Sequence, residues 1–433
     1  MSAVGYSNYK VLQIAKPERG IVVDTRGKVI GFDYYESVYS PMLTASMTEL
    51  DVGSSVANTK GIRGTIKDAL PIEGNEDIFF NISTAYGDLN FTKTPMKTLG
   101  SPLNIDANTK QVANITMVSK YAFDNANKSL SKVYQEAPIS DVVEKILDEL
   151  KIPKDKRDIE KTSTLDKVVG NHEPPLDVIL GLCKKSTPAN GKDPGYFFFE
   201  TQSGFKFKSI DGLINEGIDS FSNDAYAESH TYNYFTSPQA NLDNSKNDFK
   251  VLFPPVVKQD QNQLNALRQG KYNVRVCTIN TLTQEYNENI INLLSNTNLG
   301  GKQKNPVNSK DFCKSYTYVV NPGANEKGVS EKVINSPSTY EPMANMRYGL
   351  LHTQLVDIQV PCNVQLQAGD VIKLYIENIT QDNKLDQIYN EHRSGYYLIL
   401  HLCHHFDTSN SFTSLTLARD TYGLYRSTKW VNQ

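Results

Sequence analysis

His401, Cys403 and His405 stand at alternate positions in the run HLCHH, and alternate residues of a strand project to one face. Two imidazoles and a thiol on one face have a spacing that could direct three ligands toward a zinc ion, while His404 points the other way. One strand seldom supplies three ligands to a single tetrahedral ion, however, and no second Cys or His cluster occurs elsewhere in the chain. The three side chains are therefore read as one face of a strand, and no metal is assigned. No Gly-x-Ser-x-Gly elbow appears, and no cysteine sits where its thiol would be activated. Ser203-Gly204 and Ser394-Gly395 read as turn residues. Gly300-Gly301-Lys302 matches only three letters of a phosphate-binding loop, and carboxylate pairs suited to glycoside hydrolysis cannot be named from spacing. The expectation is a chain with no catalytic residue, no cofactor and no metal.

The elements that position HLCHH are strands. Val356, Ile358 and Val360 alternate with Asp357 and Gln359, and Ile372, Leu374 and Ile376 alternate with Lys373, Tyr375 and Glu377, the period of strands with one buried face. Between them Leu-Gln-Ala-Gly-Asp forms a turn in which Gly369 can take a positive φ. From Tyr396 the pattern resumes, with Tyr396, Leu398, Leu400, Leu402 and Phe406 on one face and Tyr397, Ile399 and Cys403 on the other. Both faces are largely apolar, which predicts a central strand. Asp407 to Asn410 supplies a polar turn, and Phe412 to Leu417 returns antiparallel.

The order of these residues, a strand ending in Val360-Pro361, then LQAGDVIKL, SGYYLI, a strand closing on His404-His405-Phe406, and SLTLARDTYG, resembles the last barrel of the central baseplate hub proteins of contractile-tailed phages. Relatives of that family include the hub part of type VI secretion spikes. The segment LNALRQGKYNVRVCTINTLTQEYNENI (264 to 290) is similar to the family's entry into the same barrel, and the two segments together cover about a quarter of the chain. Cys362 stands where the family usually has Gly, and Arg419 where it usually has Lys; neither departure threatens the fold.

The 433 residues exceed one ordinary core, so two to four domains are expected. Lys plus Arg number 45 against 48 Asp plus Glu, a net charge of −3, which implies no general attraction to nucleic acid or an anionic membrane. Twenty-four tyrosines against one tryptophan, with abundant Asn, Ser and Thr, suit short strands and polar loops. No run of 18 apolar residues predicts a membrane span, and MSAVGYSNYK has no apolar core of a secretory signal. The sequons at Asn81 and Asn378 are then accidents of composition. Cys183, Cys277, Cys313, Cys362 and Cys403, odd in number and without a CxxC pair, read as reduced thiols.

In chain order, residues 1–130 read as strands, best at Met42 to Leu50, Ile78 to Thr84 and Gln111 to Lys120. Ile139, Val142, Val143, Ile146, Leu147 and Leu150 predict an amphipathic helix with Ser140 as N-cap. PPLDVILGLCKKS (174 to 186) predicts a second helix, and Tyr196 to Glu200 with Phe205 to Ile210 a hairpin whose aromatic strand is buried on both faces. Residues 218 to 250 read as a long polar connection, Pro254-Pro255 as a boundary, and Tyr272 to Ile279 as the opening of a second barrel. The polar stretch 291–345 reads as an excursion or as an arm toward another subunit.

The expected fold is mainly β with an α+β insert. Through the resemblance this becomes two tail-tube-like β-barrels per chain: residues 1–130 completed by 218–255, an insert at 131–217, a second barrel at 256–425 carrying the 291–345 excursion, and a tail at 426–433. The resemblance further implies a homotrimer whose six barrels form a pseudo-sixfold ring between the sixfold tail tube and a threefold central spike. Baseplate wedge proteins are possible further partners, and DNA would pass through the lumen without specific binding. Such a protein sits in the virion tail and is assembled in the host cytoplasm. A tail-associated cell-wall or metal-dependent hydrolase, and a carbohydrate-binding receptor-recognition protein, stay open as alternatives.

Overall fold

The computed structural model describes residues 6–421 except 54–55, 58–62, 101–102, 108–109, 164, 191–193, 223–231, 237–249, 260–262, 272, 281–283, 293–313, 321–336, 378–388, 391 and 408–409. The Gly300-Gly301-Lys302 run, the Asn378 sequon, Cys313, the 426–433 tail and much of the 218–250 connection lie outside the described residues. The chain is mainly β. Its largest element is a 15-stranded sheet, and none of the described sheets closes on itself.

That sheet draws strands from both ends of the chain. From the N-terminal part come Ser7–Lys16, Val29–Ser37, Thr44–Asp51, Asp77–Thr84 and Lys110–Ser119; from the C-terminal part come Gln354–Pro361, Val371–Tyr375, Gly395–Asp407 and Phe412–Arg419. The seam lies at Gly395–Asp407, hereafter the bridging strand. On one edge it pairs antiparallel with Phe412–Arg419; on the other its first residues pair with Val371–Tyr375 and its last with Val29–Ser37, His401 opposite Ser37 and His405 opposite Asp33. The strands assigned to the two expected tail-tube-like β-barrels lie in one open sheet on a shared core. Leu12, Phe32, Phe80 and Met117 pack in the same buried cluster as Ile358, Tyr397, Phe406 and Leu417. Phe32 touches both sides of the seam, its ring centroid 4.9 Å from Phe80 and 6.2 Å from Phe406.

The bridging strand also departs from simple alternation. A register shift between Ile399 and His401 inserts Leu400 as an unpaired residue, a β-bulge that changes which face the following side chains meet. Tyr397, Ile399, Leu402 and Phe406 therefore share the main core, whereas Leu398 and Leu400 enter a different cluster with Phe197, Phe199 and Leu213. The uninterrupted face from Leu398 through Phe406 read from the sequence is thus split in two.

The insert folds around a core of its own. Helices Ile139–Glu149 and Pro175–Cys183 pack Val142, Val143, Ile146, Leu147, Leu176 and Ile179 against Phe198, Phe205 and Phe207 of the hairpin Tyr196–Thr201/Gly204–Ser209. Phe197 and Phe199, on the opposite face of the same strand, pack against Ile210, Val371 and Leu400, so that strand is buried on both faces. Ser140 is not the N-cap: Pro138 occupies that position, and the Ser140 N–H donates to Thr162 Oγ1 at 2.9 Å.

Three segments depart from the sequence reading. Asn273–Asn280, within the expected opening of the second barrel, is the centre of a separate three-stranded sheet with Tyr286–Asn292 and Lys314–Val320. The 291–345 stretch contains that last strand and the start of a helix, Pro337–Leu351, whose apolar residues form no single stripe and so left no periodic signal. Asn233–Phe235 pairs parallel with Val371–Tyr375, within the C-terminal set of strands.

Candidate interaction face

The bridging strand sets the HLCHH side chains on two sides. His404 faces inward, almost wholly buried, with Nδ1 2.9 Å from Thr413 Oγ1 and its ring stacked at 5.9 Å on Tyr34. Burial lowers its pKa to about 4, because a desolvated imidazolium is disfavoured. His401, Cys403 and His405 face outward, as the alternation required.

Outside, the nearest groups come from Val29–Ser37 and the bend that follows it. His405 Nδ1 lies 2.6 Å from Asp33 Oδ1, and the Cys403 thiol donates to the same oxygen at 3.8 Å. His401 sits with its ring 5.4 Å from that of Tyr39, whose hydroxyl is 2.6 Å from His352 Nε2. Burial and the neighbouring Asp33 carboxylate push the Cys403 thiol up to about 12, so it is no nucleophile near neutral pH. A relay to a thiol would need the imidazole between Cys and Asp; here Asp33 lies between Cys403 and His405, and no relay forms. Among the described residues, no three His, Cys, Asp or Glu side chains are grouped so as to hold a metal ion.

The face mixes polar and aromatic side chains. Across five strands, Gln359, Ser414, Cys403, Tyr35 and Thr44 are successive neighbours, and a second row runs Phe412, His405, Asp33, Ser46, Thr116. Neither row contains a lysine or arginine. Beside them a groove of about 560 Å³ is lined by Tyr35, Phe253, Val256, Ile358, His401 and Leu415. Phe253 and Val256 on its rim are 63% and 60% exposed. Sequence reasoning missed this rim because LFPPVV read only as a boundary; four apolar residues around a proline pair, in a chain with few exposed apolar runs, were the available signal.

The two departures from the hub pattern sit in the core. Cys362 is fully buried. Arg419 is fully buried too, its guanidinium donating to the Ser394 carbonyl at 2.9 Å and lying 5.4 Å from the Tyr397 ring centroid. Gly395 beside it has φ +141°, a conformation that favours glycine, and a Cβ there would approach that guanidinium to 2.9 Å.

No family model matches the chain, and no curated protein matches it. Among solved structures, it is similar to the 43 kDa tail protein of prophage MuSo2 from Shewanella oneidensis, with a TM-score of 0.52 at 7% identity, covering 95% of this chain and 98% of that one. It is also similar to a tail protein from Neisseria meningitidis MC58, with a TM-score of 0.52 at 8% identity, covering 95% and 97% of the two chains. Over nearly its whole length, the chain has the fold of phage tail proteins, the group to which the order of its last four strands points.

Proposed function

We propose that this protein is a structural subunit of a phage-type tail, acting as the central baseplate hub. The observation that carries the reading is the fold shared with phage tail proteins over 95% of the chain. In this role three copies form a ring between the sixfold tube and the threefold spike, with the first and last thirds of the chain supplying the two pseudo-equivalent wall segments of each copy. The seam at the bridging strand favours such a role, because it makes both segments one rigid wall. The two rows that cross it contain no lysine or arginine, and Lys258 near His401 is paired with Asp357 at 2.5 Å, which suits the lumen side: phosphates bind by releasing counterions to cations, so a wall with few free cations lets DNA pass without holding it. The groove rim, with exposed Phe253 and Val256, suits contact with an adjoining subunit. The protein would then reside in the virion tail.

Mass measurement and electron microscopy of the purified protein, alone and with its spike partner, test the reading. A threefold ring with a central channel is expected; a strict monomer under both conditions would overturn it. The placement of Asp33 between Cys403 and His405 disfavours thiol-based hydrolysis at HLCHH, and cell-wall zymography with elemental analysis for zinc is expected to be negative.

A further inference from the structure

The α+β insert meets both parts of the large sheet at two buried carboxyl groups that clamp in opposite directions. Glu36, on Val29–Ser37, accepts the Gln202 N–H of the insert hairpin at 2.7 Å and the Ala368 N–H of the turn before Val371 at 2.8 Å, with the Tyr34 hydroxyl at 2.8 Å. Glu200, on the hairpin, accepts the Leu43 N–H at 3.1 Å and the Ser119 hydroxyl at 2.9 Å. Three segments distant in sequence are thus held by two side chains, both almost completely buried.

We propose that the Glu36–Glu200 pair is a proton-operated latch, which holds the insert against the sheet while it keeps a proton and loosens that junction once both carboxyls ionise. Each carboxyl has one partner able to reverse its role: protonated Glu36 can donate to Tyr34 Oη, and protonated Glu200 to Ser119 Oγ, while every backbone N–H bond stays in place. Ionising both buries two like charges near each other. The cations facing them are Lys206, which is shared with Asp370 at 3.7 Å, and Lys156; Tyr34 and Tyr121 are the remaining titratable neighbours. Desolvation raises Glu36 to about 7 and Glu200 to about 8, the latter with a contribution from Glu36, which sets the window at neutral to mildly alkaline pH.

Amide hydrogen exchange, corrected for intrinsic rates, tests the latch on the full chain. Protection of the Leu43, Gln202 and Ala368 amides should fall about tenfold or more between pH 6.5 and 9, a one-unit effect on the pair, while the Met47 amide in the sheet keeps its protection. Glu200→Gln reproduces the neutral geometry, donating to Ser119 and accepting from Leu43, and should flatten the pH response. A flat response in the wild type, or an unchanged one in the variant, would overturn the proposal. If the variant does not fold, infrared titration of Glu49→Gln, which removes the other buried carboxyl raised to about 7, decides: a carboxylic-acid carbonyl band present at pH 6.5 and gone by pH 9 supports the latch, and its absence at pH 6.5 refutes it.

Discussion

Arg347 is the charge on which three segments converge. It is almost wholly buried, with Nη2 donating to Asp211 at 2.5 Å and Nη1 to Asp420 at 3.0 Å, and so links two helices to the end of Phe412–Arg419. Arg347→Met removes the cation from the buried Asp420 and the partly buried Asp211, and truncating one partner of a buried pair typically costs about 3–5 kcal/mol. The urea midpoint should drop accordingly; a loss under about 1 kcal/mol would mean that water reaches the site. His404 makes a prediction of opposite character. Its folded pKa of about 4 lies below the ordinary 6.5, so its contribution is present above pH 6.5 and is lost as pH falls toward 4, where the unfolded chain takes up the proton first. The stability gap between wild type and His404→Gln should narrow by roughly 2 kcal/mol from pH 7 to pH 5, a difference that cancels the titration of other groups.

Two glycines separate local backbone demands from helix propensity. Gly204, at the hairpin turn, has φ +138°, and a Cβ there would lie 2.3 Å from the Lys156 carbonyl oxygen, a backbone atom that cannot swing aside. Gly204→Ala should destabilise by more than about 1 kcal/mol and loosen the parallel pairing of Arg157–Ile159 with Gly204–Ser209. Gly181, inside the helix Pro175–Cys183, has open space around its Cβ position. Gly181→Ala should therefore stabilise by about 0.5–1 kcal/mol. Thermal melts of the two variants beside wild type check both signs at once.

For the molecule as a whole, the shared core predicts cooperativity between sequence-distant parts. Phe32 on one side of the seam and Phe406 on the other are fully buried in one cluster, so neither set of strands retains its core without the other. Native-state hydrogen exchange in rising denaturant should give Thr44–Asp51 and Phe412–Arg419 the same opening free energy and the same denaturant slope. Phe406→Ala, costing about 3–5 kcal/mol, should lower both together. Opening of one set while the other stays protected would mean two independent domains.

By itself, the sequence determined the strand-rich class, the four C-terminal strands, the insert's helices and its doubly buried hairpin. Each rests on local periodicity or turn chemistry, as with Gly369, whose φ of +86° fits the turn assigned to it. Only the tertiary structure decided what depends on partners far away in the chain. The Leu400 bulge exists in the pairing with Phe412–Arg419, not in any composition. The join between the two parts of the sheet rests on Val29–Ser37 meeting the bridging strand some 370 residues later, as in the His405–Asp33 contact. Apart from the local Tyr34 contact, the clamps at Glu36 and Glu200 link residues more than 80 positions apart at their closest. HLCHH shows the same division: alternation set which side each residue faces, but only the arrival of Asp33 between Cys403 and His405 fixed what that face can do.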